Sequence, residues 1–255
     1  MRTGRAFVAL LALAAGPAGA QTMLDQEQRL IDIHALLLDL PPVDAPGAYD
    51  PGQFSLALEI IGVPPIDGTT GNKHQFTASD RSIAFPRPRV ALGLPAPEGF
   101  RAFVGLSYVP PIQAWNVKLN YIAGEAGIAW APGPARVGFR AHLLYGESES
   151  PVTDPVINDT LRITEFGAEL SGGYDFAFGR LTVTPYGGAG VSHSSGNFRV
   201  TSDAVTLVSD NTAAALHAGV RLLFGKRWEG AAEVDYYPGF LIHPNFRLAW
   251  LFDLF

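Results

Sequence analysis

The chain has 255 residues, 16% of them charged, with a formal net charge of −6 and no cysteine. An acidic balance argues against a nucleic-acid partner, which needs a basic face. The absence of Cys excludes disulfide frameworks, Cys-ligated zinc, iron–sulfur clusters and thiol nucleophiles. With 47% hydrophobic and 11% aromatic residues, the composition is that of a folded chain and not of a disordered one.

Residues 1–20 read as a cleavable signal peptide. Arg2 and Arg5 supply the positive start, Phe7 to Ala15 the apolar stretch, and Ala18-Gly19-Ala20 a small-x-small cleavage site. The apolar stretch is about half of what a bilayer-spanning helix requires. No later segment reaches the length of a transmembrane helix, so an exported product is either soluble or enters a membrane as a β-barrel.

Residues 21–52 read as a periplasmic segment, an amphipathic helix followed by a tether. Met23, Leu30, Ile33, Leu37 and Leu40 recur at helical spacings over 22–40, and Asp25, Glu27, Gln28, Arg29 and Asp32 take the other faces. The run from Pro41 to Gly47 ends the helix and begins a Pro/Gly tether. The apolar stripe of the helix needs a cover, either as a plug in a lumen or against a periplasmic protein.

From residue 53 the period becomes two. Ten alternating segments fall at 53–62, 86–95, 100–109, 118–131, 135–147, 162–177, 180–193, 211–224, 227–238 and 244–255, each close to the ~9–11 residues of a tilted membrane strand or longer. Short turns at 95–99, 132–134, 178–179 and 225–226 alternate with mostly longer polar connections at 63–85, 110–117, 148–161, 194–210 and 239–243. The expected fold is all-β: an antiparallel, up-and-down transmembrane β-barrel over 53–255 with ten strands, or else eight or twelve because 86–95 and 100–109 are weakly patterned. Ten strands lie near the size that side chains fill, far from a wide pore.

One face of each strand is apolar and the other carries the charges. A charge on lipid near the midplane costs about 2–4 kcal/mol, so the charged face belongs in the lumen. That inward set is Glu59, Arg87, Arg89, Glu125, Arg136, Arg140, His142, Glu165, Glu169, Asp175, His217, Arg221, Glu229, Glu233, Asp235 and Arg247. A soluble barrel reverses the faces, and the charges alone do not choose between the two. A tight turn at 224–226 sets Arg221 opposite Glu229 and His217 opposite Glu233. The turn at 132–134 brings Arg140 or His142 near Glu125, and Arg247 is expected to reach Asp235 or Glu233. Trp130, Tyr145, Tyr174, Trp228, Tyr236 and Trp250 sit where interfacial aromatic girdles belong.

The chain end, Asn245-Phe246-Arg247-Leu248-Ala249-Trp250-Leu251-Phe252-Asp253-Leu254-Phe255, resembles the last strand of bacterial outer-membrane β-barrel proteins, which closes on an aromatic residue. The third residue from the end is Asp253 where that pattern has an apolar one, and the lipid-facing set is shifted by one. The resemblance implies a barrel-assembly signal at Phe246, Leu248, Trp250, Phe252 and Phe255, with the outer membrane as location and its lipids and the barrel-assembly machinery as partners.

No catalytic, metal or cofactor motif stands out. His193-Ser194-Ser195 has the His-x-Ser spacing of the lipid A deacylase family, but Gly196-Asn197 follows where that family places Asn first, and a polar loop is the plainer reading. The paired Asp and Asp–His sets of omptin proteases are missing from the long connections. His74 and His243 read as lone solvated histidines. The sequence therefore points to a non-enzymatic barrel, a scaffold or anchor of an envelope-spanning complex that reaches a periplasmic protein through 22–40. A narrow channel or transporter for small or amphipathic solutes is the alternative, and a lipid A hydrolase a remote one.

Overall fold

The structure is a computed structural model that describes residues 43–63, 83–114, 117–150, 157–201, 204–238 and 241–254. The signal peptide, the helix at 22–40, His74 and Phe255 lie outside the described residues.

The alternating segments form β1 (Gln53–Val63), β2 (Ile83–Leu94), β3 (Phe100–Ala114), β4 (Val117–Trp130), β5 (Ala135–Ser150), β6 (Asp159–Tyr174), β7 (Phe176–Phe178), β8 (Leu181–Val200), β9 (Val205–Phe224), β10 (Trp228–Tyr237) and β11 (Leu241–Asp253). Neighbours pair antiparallel in chain order. The long β6 and β8 pair directly, β7 is a three-residue continuation at the base of their hairpin, and β1 pairs with β11 from Gln53↔Asp253 to Ile61↔Asn245. The result is a closed ten-stranded barrel with one short extra strand. Closure removes the sheet edges that a bilayer cannot hydrogen-bond.

The outer surface is apolar. Leu248, Leu170, Phe166 and Leu143 are each more than half exposed, Leu248 the most at 73%. Two aromatic belts bound this band. Trp130, Tyr174, Trp228 and Trp250 lie toward the short-turn rim, with Trp228 and Trp250 stacked at 6.0 Å, and Tyr108, Tyr145 and Tyr236 lie toward the other rim. This is the surface of a strand-built membrane protein.

Three connections are shorter than the sequence implies. β8 and β9 run 20 residues each and stay paired from Leu181↔Phe224 to Val200↔Val205. Much of 110–117, 148–161 and 194–210 is thus strand and not loop. The cause is an alternation that continues with the faces reversed. Beyond the Tyr145 level, Glu147, Arg162 and Asn197 point outward, while Leu161, Ile163 and Phe198 point inward and are buried. Outside the bilayer water favours polar residues on the outer face, and the pairing continues because the inner face is still covered. β2 and β3 behave differently. They pair only from Arg89↔Ser107 to Leu94↔Ala102. Pro86 and Pro88 bring no N–H to that edge, and β3 is irregular between Val109 and Ile112, around Pro110-Pro111.

The β9–β10 hairpin turns over three residues, 225–227, with Gly225 and Lys226 at φ 60° and 63°. Arg221 therefore faces Ala231, and His217 faces Asp235 and not Glu233. The offset from the expected pairing is two residues, so every side chain keeps its face.

Candidate functional site

The lumen is filled in three layers. At the short-turn rim, residues 43–49 run inside the barrel, although the sequence reads them as part of a tether below it. Gly52 N–H donates to the Gly93 carbonyl at 2.9 Å and Leu254 N–H to the Gly52 carbonyl at 3.0 Å, which fixes the entry point. Val43, Asp44, Ala45, Ala48 and Tyr49 are buried, and Tyr49 packs against Phe103 with ring centroids 5.2 Å apart. Gly47 makes the turn at φ 63°, where a Cβ would lie 3.0 Å from that of Ala129. Glycine is the residue that accepts both the dihedral and the close approach.

A ring of arginines from five strands clasps this segment. From β2 and β11, Arg89 and Arg247 each approach the Asp44 carboxylate at 3.1 Å. The same two donate to the Tyr49 hydroxyl at 3.1 and 2.7 Å, and Arg247 also donates to the Val43 carbonyl at 3.1 Å. From β9, Arg221 donates to the Ala48 carbonyl at 3.2 Å. From β3 and β5, Arg101 and Arg136 both donate to the Gly47 carbonyl. A strap with no secondary structure must find partners for its buried carbonyls, and forked guanidiniums supply them at the end of a long reach. Burial alone would raise the Asp44 carboxyl, but the guanidiniums of Arg247 and Arg89 overcome this and hold it lowered, at about 2.

The middle layer is a belt of ion pairs. Arg87 meets Glu59 at 2.6 Å, Arg89 reaches Glu125 and Glu59, Arg136 pairs with Asp175, and Arg140 lies 2.7 Å from Glu169 and 4.0 Å from Glu125. Arg221 and Arg247 share Glu229, at 2.6 and 3.1 Å. His142 lies 3.2 Å from Glu165 and His217 4.0 Å from Glu169. All sixteen residues assigned inward from the sequence face the lumen, and all but the half-buried Asp175 are buried. Some partners differ from those expected. Arg247 turns to Glu229 and Asp44, while Asp235 accepts from Asn245 at 2.6 Å. His243 is not solvated. It is buried, edge-on to the Tyr237 ring at 5.8 Å. Lumen-facing glycines make room for these groups: a Cβ on Gly105 would fall 2.3 Å from Glu125 Oε1, and one on Gly167 would fall 2.2 Å from His142 Cε1.

The third layer is apolar. Ile61, Phe85, Val109, Leu119, Leu161 and Phe198, among others, form one buried cluster over the belt. Two cavities in the interior each hold about 10 Å3, room for about one water. Among the described residues no group of acids and histidines is arranged to hold a metal ion.

The sequence reading missed Asp44, Tyr49, Tyr186, Asn245 and the apolar layer. The last left a signal, the adjacent apolar pairs Ile60-Ile61, Tyr108-Val109, Tyr121-Ile122 and Leu143-Leu144, where alternation is lost because both faces are covered. Nothing in the pattern around Asp44 marks it. His193 and Ser195 are on the outer face of β8, where His193 Nδ1 lies 3.0 Å from Thr212 Oγ1 and Nε2 3.7 Å from Asp210. Phe246, Leu248, Trp250 and Phe252 project from the outer face of β11.

Residues 96–246 match the family described as the outer membrane protein beta-barrel domain, more than half of the chain. The chain belongs to that family. Its place as an outer-membrane barrel is the bacterial outer membrane, and in such barrels the short-turn rim faces the periplasm. Similar solved structures include the beta domain of the Bordetella autotransporter Brka, with 13% identity and a TM-score of 0.50 over 79% of this chain and 98% of that one. Another is the translocator domain of the autotransporter NalP from Neisseria meningitidis, with 11% identity and a TM-score of 0.49 over 89% and 94%. At these identities the likeness concerns the fold. No curated protein matches the sequence.

Proposed function

We propose that this outer-membrane barrel is a closed, non-catalytic anchor or scaffold of an envelope-spanning assembly. The observation that supports the reading most is the occupied lumen: the strap Val43–Tyr49 lies across the periplasmic mouth, clasped by arginines of five strands, under an ion-pair belt and an apolar layer. A path for solute needs continuous space, and the two cavities lined by strap and belt residues each have room for about one water. The strap also gives residues 22–40 a fixed base at the membrane, from which this segment engages a periplasmic protein.

The test combines conductance and capture. The intact protein in planar bilayers is expected to stay silent, and a periplasmic protein is expected to co-purify with it and to be lost when residues 22–40 are deleted. Discrete openings in the intact protein would overturn the closed reading in favour of a narrow channel, and unchanged capture after the deletion would remove the partner role of 22–40.

A further inference from the structure

The acids of the lumen outnumber its arginines. Asp44 and the eight wall carboxylates placed above make nine, against the seven arginines 87, 89, 101, 136, 140, 221 and 247, all buried or half-buried. An uncompensated charge in a dry interior is costly. The imbalance is local. The arginines crowd the strap and its surroundings, while Glu165, Glu169, Glu233 and Asp235 gather on the other side with His142, His217 and His243.

Glu233 is the extreme case. It is 3% exposed, and among the described residues its carboxylate has no cationic partner of its own, only the Tyr186 hydroxyl as a hydrogen-bond neighbour. Its own strand places Asp235 two residues away on the same face. Facing it are Arg140 of β5, Glu169 of β6, Tyr186 of β8, His217 of β9, and Asn245 of β11 directly opposite, flanked by His243 and Arg247. Among these the guanidinium of Arg140 is already taken by Glu169 at 2.7 Å. Beside this group lies the water-sized cavity lined by His142, Glu169, Ser192, His217, Asp235 and Tyr237. Every polar group of that lining either carries a proton or accepts one.

We propose that this layer is a proton-binding site: at neutral pH the folded barrel holds a proton on Glu233 that the unfolded chain does not. The interior seal is then pH-dependent. Alkaline conditions strip the layer and leave like charges facing each other between the strap and the apolar layer.

The sign follows from linkage. Where the folded state binds more protons than the unfolded one, stability falls as pH rises. Each extra proton makes the folding equilibrium constant drop about tenfold per pH unit. The experiment is urea unfolding of the full chain in detergent micelles at several pH values from about 7 to 9, above the unfolded histidine range, for the native sequence and for Glu233→Gln. Stability of the native protein is expected to fall across that range, and Glu233→Gln to lessen the slope by about tenfold per unit. A native stability that is flat or rises with pH overturns the proposal, as does an unchanged slope in the variant. Infrared spectroscopy of the native protein gives an answer even if the variant does not fold. A protonated-carboxyl C=O band at neutral pH that disappears on alkalinisation is expected, and its absence overturns the assignment to Glu233.

Discussion

Asp44 and Arg247 meet at 3.1 Å inside the barrel, although one precedes the first strand and the other lies on the last. The pair forms only after β11 has closed on β1, because Arg247 gains its place through the register Glu59↔Arg247. The strap thus docks onto a completed wall, and its contacts report on closure.

Asp44→Ala leaves two buried guanidiniums short of a partner. Breaking a buried pair costs about 3–5 kcal/mol. Glu229, Glu59 and Glu125 still face Arg247 and Arg89, so a loss of about 3 kcal/mol is expected. The urea midpoint of the folded barrel measures it, and a change within error would mean that the strap adds nothing to the fold.

The Asp44 contribution has its own pH window. The carboxyl is held at about 2 in the folded protein, below its unfolded value near 4. A lowered carboxyl stabilises fully above the unfolded value, and the stabilisation is lost as pH falls through the folded one. The stability gap between the native protein and Asp44→Asn is therefore expected to be constant from about pH 7 to 5 and to close between about pH 4 and 2. A gap that widens in acid would contradict the ion-pair geometry.

Tyr49 joins both halves of the strap site, its ring against Phe103 and its hydroxyl under Arg89 and Arg247. Tyr49→Phe removes the hydroxyl alone and is expected to cost about 1–3 kcal/mol. Tyr49→Ala adds a cavity, for a total of about 3–5 kcal/mol. Equal losses for the two would show that the ring packing carries no weight.

Two glycines one face apart should respond oppositely. Gly167→Ala drives a methyl into the His142 ring, where its Cβ would fall 2.2 Å from Cε1, and overpacking of this kind costs about 1–3 kcal/mol. A Cβ on Gly124 would meet nothing within 4 Å, and Gly124→Ala is expected to stay within about 0.5 kcal/mol of native. Heat-modifiability on gels compares the two directly, and equal effects would contradict the assignment of faces.

The faces of the strands were legible because a period of two is a local property. Leu248 against Arg247 and Leu143 against His142 are decided by pleating and by the cost of a charge on lipid, whatever the partner strand. Partners were less legible. His217 faces Asp235 because the turn takes three residues, and Arg247 turns away from Asp235 because Asp44 arrives from another part of the chain. The lengths of β8 and β9 escaped because the faces exchange character outside the bilayer while the pairing continues.

By itself the sequence determined that the chain is an antiparallel membrane barrel with its charges turned inward, with ten strands expected ahead of eight or twelve, since alternation, turn residues and lipid solvation act over a few neighbouring residues. Only the tertiary structure decided that the Pro/Gly segment enters the lumen and that an apolar layer lies over the charged belt. The backbone of the strap finds its donors, Arg101, Arg136, Arg221 and Arg247, only where four strands converge. That convergence is a consequence of barrel closure and has no counterpart in sequence spacing.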